Sequence, residues 1–378
     1  MKIFYFILFV FVFSKLTAQD YTITEKFDLP NEVIETSGLI FFNNRLITHN
    51  DSSGEANLYE LDSLSGSIIR TVNISNATNV DWEDITHDET YIYVGDIGNN
   101  DGSRTDLKIY RISKTDYEEN TSVLADVISF SYEDQTDFTP AYNNTNWDAE
   151  SITVWGDKLL IFTKNWIDNE TNLYVCPNIP GDYSATKEST FNSEGLITAA
   201  TTMSDSGIFL IGYTDYLVPF FIVIDDINLD SDYDIFENSN QLKYNAFLPL
   251  GNQIEGVCFI YESEEKQHLF ISNEEFSYGS TTFTQKLRAI DFYYPSLGST
   301  TLENEVFNVC PNPTSDVIYV SKEFKNNKFQ ILSTTGLCIK KGDVNQNFID
   351  VASLEQGVYY LYLANTKSIS KPYKFIKK

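Results

Sequence analysis

Between Glu35 and Asp291 one pattern recurs five times. Each unit opens with a short apolar run beside an acidic residue. A second apolar run ending in polar residues follows, and then a third. The openers are Glu35-Thr36-Ser37-Gly38-Leu39-Ile40, Trp82-Glu83-Asp84-Ile85, Asp148-Ala149-Glu150-Ser151-Ile152, Gly195-Leu196-Ile197-Thr198-Ala199-Ala200 and Ile254-Glu255-Gly256-Val257. The fourth lacks the acid in register, although Glu194 is nearby. The second runs end in His49-Asn50-Asp51, Gly95-Asp96, Thr163-Lys164-Asn165, Gly212-Tyr213 and Ser272-Asn273-Glu274. Fourth runs fit 67–74, 126–132, 183–191 and 241–248. Short apolar runs separated by Asn, Asp, Gly and Ser read as strands, and no stretch sustains a 3.6-residue period. The pattern predicts an all-β fold without long helices.

Units of this size cannot bury a sheet face alone, so they stack. The fifth unit stops after three strands, near Tyr294, and an orphan strand over 21–27 precedes the first. A β-propeller closes in this way: a terminal strand completes the last sheet and leaves no edge unpaired. The repeat predicts a propeller of five four-stranded blades over 19–298. Six blades is the alternative, because the 67 positions from Glu83 to Glu150 leave room for further strands.

In that arrangement the opening strands line the axis. Glu35, Glu83, Glu150 and Glu255 become equivalent positions around it, candidates to hold a metal. Carboxylates brought together repel one another, and protons or a shared cation relieve the repulsion. Hard oxygen ligands suit Ca²⁺, or Mg²⁺ with its waters. His49, Asp51, Asp96, Lys164, Asn273 and Glu274 end second strands near the same mouth and are candidate ligand-binding residues. The opposing reading is that the glutamates cap backbone amides of neighbouring blades. Trp82, Trp147 and Trp166 either stack on a ligand or wedge between blades. Asp96-Ile97-Gly98-Asn99-Asn100-Asp101-Gly102 has the composition of a Ca²⁺ loop but not the EF-hand pattern, so it reads as a tight turn.

Charge narrows the partners. The formal net charge is −28. Residues 301–378 carry 10 Lys against 7 Asp+Glu, and 1–18 carry 2 Lys, which leaves 14 Lys+Arg and 47 Asp+Glu on 19–300. A surface at −33 repels nucleic acid and anionic membranes. No nucleophile elbow, H-E-x-x-H, P-loop or dinucleotide fingerprint is present. Two functions follow: binding of a ligand or partner at an acidic mouth with a divalent cation, or metal-dependent hydrolysis of a phosphoester, lactone or glycan by the same carboxylates. In the hydrolytic reading Lys164 stabilises an anion and His49 is a candidate base.

The termini concern export. Lys2, the apolar run from Ile3 to Phe13 and Thr17-Ala18 make a secretory signal peptide over 1–18. The run is too short to span a bilayer as a helix, and no later stretch is long enough. None of Cys176, Cys258, Cys310 and Cys338 forms a C-x-x-C pair. The first two read as buried thiols, and the last two can pair in an oxidising compartment.

Residues 299–378 contain Pro311-Asn312-Pro313-Thr314-Ser315-Asp316, then Thr334-Thr335-Gly336, Leu354-Glu355-Gln356-Gly357-Val358-Tyr359 and Lys374-Phe375-Ile376-Lys377-Lys378. These anchors, in this order, resemble the type A C-terminal sorting domain of the Bacteroidetes type IX secretion system. The resemblance implies a small β-sandwich, with Pro311, Asn312, Pro313, Asp316, Gly336, Gly357 and Tyr359 as its sorting motif. It implies passage through the periplasm, engagement of the type IX machinery, and release or attachment to surface lipopolysaccharide. The phrases Glu-Thr-Ser-Gly-Leu, Asp-Trp-Glu-Asp-Ile and Gly-Asp-Ile-Gly-Asn-Asn are similar to uncharacterised secreted propellers of bacteria. They resemble, more distantly, propellers with phosphoesterase or lactonase activity. That likeness implies the fold and transfers no catalytic residue.

Overall fold

The computed structural model describes residues 21–378 except 53, 204–206, 228–232, 238, 247, 249–251, 264–265, 279–280, 294–310, 321–327, 334–337, 345–347 and 365–372. The signal-peptide expectation over 1–18, Gly336 and the Cys310–Cys338 pairing lie outside the described residues. The chain divides into two compact units, 1–292 and 293–378.

The first unit is all-β. β1 (Tyr21–Asp28) precedes β2 (Thr36–Phe42), β3 (Arg45–Asn50), β4 (Asn57–Asp62) and β5 (Ile68–Ile74). Next come β6 (Trp82–His87), β7 (Tyr91–Asp96), β8 (Lys108–Ser113), α1 (Lys114–Glu119), β9 (Ser122–Val123) and β10 (Asp126–Tyr132). The third group is β11 (Ala149–Trp155), β12 (Lys158–Thr163), β13 (Thr171–Pro177) and β14 (Gly181–Phe191). The fourth is β15 (Leu196–Met203), β16 (Gly207–Tyr213), β17 (Pro219–Asp225) and β18 (Asn240–Asn245). The last is β19 (Ile254–Glu262), β20 (Lys266–Asn273), the small hairpin β21 (Phe276–Tyr278) and β22 (Thr281–Phe283), and β23 (Lys286–Tyr293).

Sheet orders are β2-β3-β4-β5-β9, β15-β16-β17-β18 and β19-β20-β23-β1. The second and third groups join through parallel β10 and β14 into one eight-stranded sheet, β6-β7-β8-β10-β14-β13-β12-β11. Its edge strands β6 and β11 lie against each other, so this sheet nearly closes on itself. The extra length of the second unit forms α1 and the two-residue β9, which adds to β5 of the first sheet. The N-terminal β1 runs antiparallel to β23, with Ile23 opposite Ile290.

Alternation along the strands builds the core. Leu159 and Ile161 of β12 face a cluster shared with β8 and β10, whereas Leu160 and Phe162 face one shared with β15 and β16. Successive side chains of a strand point to opposite faces, so a strand apolar at every position is buried on both. The same holds for β16, where Ile208 and Leu210 face one way and Phe209 and Ile211 the other. Five clusters result, each between two consecutive strand groups, and one of them joins the last group to the first through Leu39, Leu46, Cys258 and Leu287. Cys176 and Cys258 are free, buried thiols within these clusters. Burial pushes the Cys176 thiol up to about 12 and that of Cys258 higher still.

The innermost strands touch in the order β2, β6, β11, β15, β19 and back to β2. Where β2 meets β6 the backbones nearly collide. Gly38 has φ of 66°, and a Cβ there would fall 2.7 Å from the Ile85 nitrogen. Only glycine accepts both the left-handed conformation and the contact. At the same level the Asp84 carboxylate is fully buried. It accepts the backbone N–H groups of Ile85 at 2.8 Å, Ile152 at 3.0 Å and Ala200 at 3.1 Å. One side chain of β6 therefore binds β11 and β15 as well.

The second unit holds β24 (Val317–Tyr319), β25 (Lys328–Ser333), β26 (Cys338–Asp343), β27 (Phe348–Asp350), β28 (Gly357–Ala364) and β29 (Tyr373–Lys377). The pair β24-β27 and the sheet β26-β25-β28-β29 share one core containing Ile318, Ile349, Phe329, Leu361 and Phe375.

Asp84→Asn tests the junction of the inner strands. An amide offers one acceptor oxygen and turns N–H groups towards N–H groups, leaving buried donors unpaired at about 1–3 kcal/mol each. Denaturant unfolding should show a loss of roughly 1–3 kcal/mol, because the amide oxygen can keep the Ile152 and Ala200 N–H groups and leaves that of Ile85 unpaired. A loss under about 0.5 kcal/mol, the size of a neutral surface change, would mean the carboxylate does not join the sheets.

Candidate functional site

The inner strands carry a recurring irregularity that sets the site. The pairing register slips between Trp82 and Asp84, between Ala149 and Ser151, between Ile197 and Ala199, and between Ile254 and Gly256. The extra residue at each β-bulge is Glu83, Glu150, Thr198 and Glu255. A bulge redirects one side chain out of the sheet's alternation, and here it redirects the same position in four strand groups. In β2 the slip lies between Ser37 and Ile40. Glu35 precedes β2 and is exposed, so it does not share the position of the other three glutamates.

The bulge residues divide by chemistry. Thr198 donates its hydroxyl to the Ile254 carbonyl of the next group at 2.6 Å, and Ser37, just before the β2 slip, donates to the Glu83 carbonyl. These hydroxyls tie neighbouring inner strands together. Among the described residues neither Glu83 nor Glu255 accepts a backbone N–H. Asp84 is the carboxylate that caps backbone amides of neighbouring groups, while the two hydroxyls bind carbonyls.

Glu150 is neutralised internally. Lys164 Nζ donates to its two carboxylate oxygens at 2.7 and 2.6 Å, and both residues are buried. The same ammonium lies 4.9 Å from the Trp166 ring and 5.3 Å from that of Tyr213. Trp166 is held by Asp148, which accepts its Nε1–H at 2.8 Å and the Asn99 N–H at 2.7 Å. Tyr213 also bonds Glu255. Burial lowers the Lys164 affinity for its proton, but the facing carboxylates overcome this and hold it well above the usual lysine range.

The other side has no such partner. Ligand oxygens of Asp51, Asp81 and Glu83 all lie within 4.8 Å of one another. Among the described residues none of the three is in an ion pair. The Asp51 Oδ1 atom is buried without a hydrogen bond. Burial, and after it the neighbouring carboxylates, raise all three: Asp51 to about 7, Asp81 to about 6, and Glu83 well above the glutamate range. Glu255 and Glu274 follow for the same first reason, to about 8 and about 7. The loop after β7 presses against the triad. Ile97 and Gly98 both donate backbone N–H to the Asp81 carbonyl at 3.1 Å, and a Cβ on Gly98 would overlap the Asp81 and Glu83 carboxylates. This loop is a clamp on Asp81. Three carboxylates, an unpaired buried oxygen and a glycine wall kept clear of side chain fit a hard divalent cation.

The remaining expected residues serve other ends. His49 is fully buried, packs edge-on to Trp82 at 5.5 Å, and is pushed down to about 4 by burial, so it is neutral at pH 7. Trp82 is a wedge in the core between the first two groups. Asp96 is buried against Arg104 at 2.8 Å and accepts the Asp81 N–H at 3.2 Å, so it steadies the triad without joining it. Asn273 donates to the Glu274 and Thr284 carbonyls and accepts from Arg288, which fixes a loop. Glu274 accepts from Gln253 at 2.8 Å. Asp81 and Asp84 join Glu83 in these roles without a place in the repeat pattern, their signal being the Asp-Trp-Glu-Asp run.

In the second unit the two ends of the motif meet. Asn312 donates to the Lys374 carbonyl and accepts from the Ile376 N–H, each at 2.9 Å. Thr314 exchanges backbone bonds with Ile376 and Lys378. Asp316 accepts the Val351 N–H through its carbonyl. Gly357 starts β28 opposite Lys377, and the Tyr359 ring stacks on Phe375. Residues 308–378 match the family described as secretion system C-terminal sorting domain. This segment is similar to the type IX secretion C-terminal sorting domain. Its presence implies interaction with the secretion machinery and export across the outer membrane, to the surface or the medium. No described helix is long and apolar enough to cross a membrane.

A solved structure of PorZ, titled an essential bacterial surface component of the type-IX secretion system of Porphyromonas gingivalis, is similar at 12% identity and a TM-score of 0.37. The match covers 92% of this chain and 47% of that one, so the chain spans about half the length of that relative. At this level of similarity neither fold nor role carries over. No curated protein matches.

Gly98→Ala should abolish divalent-cation binding by occupying the space beside Glu83 and Asp81, while leaving the melting temperature in chelator close to that of the parent. Titration calorimetry with Ca²⁺ reads the first and a thermal melt the second. Parent-like Ca²⁺ binding would place the cation elsewhere.

Proposed function

We propose that the exported unit is a five-bladed β-propeller that binds an external ligand or partner through a divalent cation held at its acidic mouth by Asp51, Asp81 and Glu83. The propeller reading is supported by five strand groups in cyclic contact and by β1 completing the last sheet. In this reading 1–18 is a removed signal peptide, 19–298 the propeller and 299–378 the sorting sandwich. The cation reading rests on one observation above the others: the triad is compressed and partly buried with no cationic side chain of the described residues paired to it. A cation there would supply a Lewis-acidic centre, Ca²⁺ in preference to Mg²⁺ because an all-carboxylate cage suits the larger ion. Attachment to surface lipopolysaccharide after export belongs to the same proposal.

Binding is favoured over hydrolysis by two facts. Lys164, the candidate to stabilise an anion, is engaged by Glu150 on both oxygens. His49, the candidate base, is buried and neutral in the core.

Titration gives a signed test. Unfolded carboxyls titrate near 4, whereas Asp81, Asp51, Glu274 and Glu255 are raised to about 6, 7, 7 and 8. Between those limits the folded state binds more protons than the unfolded one. Metal-free stability therefore falls as pH rises from about 4 to about 8. Ca²⁺ should reverse this above pH 7 and add little at pH 5, where protons hold the same oxygens. At ~100 times its dissociation constant it adds about 2.7 kcal/mol. Glu83→Gln should remove most of that gain. Identical melting curves in chelator and in excess Ca²⁺ at pH 8 would end the cation proposal.

Export has its own test. A chain truncated after Thr300 should accumulate in the periplasm, read by fractionation and immunoblotting. Its normal appearance at the surface or in the medium would show that the sorting domain is dispensable.

A further inference from the structure

A cavity of about 310 Å³ lies beside β1 and β23 and is lined by Ile23, Leu248 and Phe283 together with Glu25, Lys286 and Arg288. That volume suits a small molecule. Arg288 is the unusual member. It is 5% exposed, and its only hydrogen bonds among the described residues go to the neutral amide oxygens of Asn273 and Asn252. No carboxylate of the described residues is within ion-pair distance of it. Buried guanidinium groups are normally paired, because desolvation of an unpaired charge is expensive. This one is unpaired in a domain whose acids outnumber its bases by 47 to 14.

The carboxylate across the ladder is engaged elsewhere. Glu25 stands opposite Arg288 in the β1–β23 register, yet its oxygen bonds Lys286 Nζ at 2.7 Å, which is also held by Asp28 at 2.7 Å. Among the described residues the guanidinium therefore keeps N–H groups without partners beside a cavity with three apolar walls. A guanidinium fork matches a carboxylate in shape and charge.

We infer that this cavity is a binding site for a small carboxylate with an apolar body: the carboxylate meets Arg288 and the body rests on Ile23, Leu248 and Phe283. The site is separate from the acidic triad and needs no cation.

Benzoate and its neutral isostere benzamide test this on the full mature chain by titration calorimetry in chelator. Benzoate should bind and benzamide should not. Arg288→Gln should weaken benzoate at least about tenfold, the scale of one lost charged hydrogen bond. Glu83→Gln should leave it unchanged. Glu25→Gln removes the only carboxylate among the described lining residues and should tighten benzoate severalfold. That variant changes a half-exposed residue, so it decides the matter even if Arg288→Gln fails to fold. Equal binding of benzoate and benzamide, no benzoate binding, or a Glu25→Gln affinity equal to the parent's would overturn the inference.

Discussion

Everything in the larger unit converges on the Asp84 carboxylate. The edge strands β6, β11 and β15 carry backbone N–H groups outside the ladders of their own sheets. A buried unpaired donor is costly. Asp84 answers three of them, one in its own strand and one each in β11 and β15. Burial drives its carboxyl well up, and the three bonds pull it back. Glycine at position 38 complements it by letting β2 approach to van der Waals distance. With the centre fixed, the bulge residues one or two positions away are held in place, Glu83 of the carboxylate cluster among them.

Strand content was legible because alternation and punctuation are local. The expected second strand from Arg45 to Asp51 differs from β3 by one residue, and the weak run near 183–191 became β14, the longest strand of the unit. The extra length after Glu83 leaves room for strands. It holds a helix capped by the Ser113 hydroxyl, which accepts the Asp116 N–H. At six residues that helix is too short for a period to show.

The site was less legible. Glu83, Glu150 and Glu255 share a bulge position, but only Glu83 joins the carboxylate group with Asp51 and Asp81, while Glu150 pairs with Lys164. Glu35 fell outside because the irregularity of β2 lies further along the strand, a register fact that no spacing reveals. Asp81 escaped notice because it precedes its strand, and only the clamp from Ile97 and Gly98 brings it inward. Lys164 was visible as a polar strand end, but its pairing with Glu150 depends on the β11–β12 register. The aspartates on either side of Glu83 do opposite work: one faces the cluster and the other ties sheets.

The pairing of β1 with β23 has a consequence for timing. Ile23 and Ile290 are partners, although nearly the whole unit lies between them in sequence. Any machine that threads the chain from its first residue delivers β1 at the outset and β23 at the end. Until then β1 lacks its ladder partner, and only contacts such as those of Tyr21 with Phe221 and Tyr244 can hold it. Contacts this distant along the chain form slowly. Completion of the larger unit thus waits on the delivery of β23, and a chain arrested before it would present an open edge to every neighbouring strand.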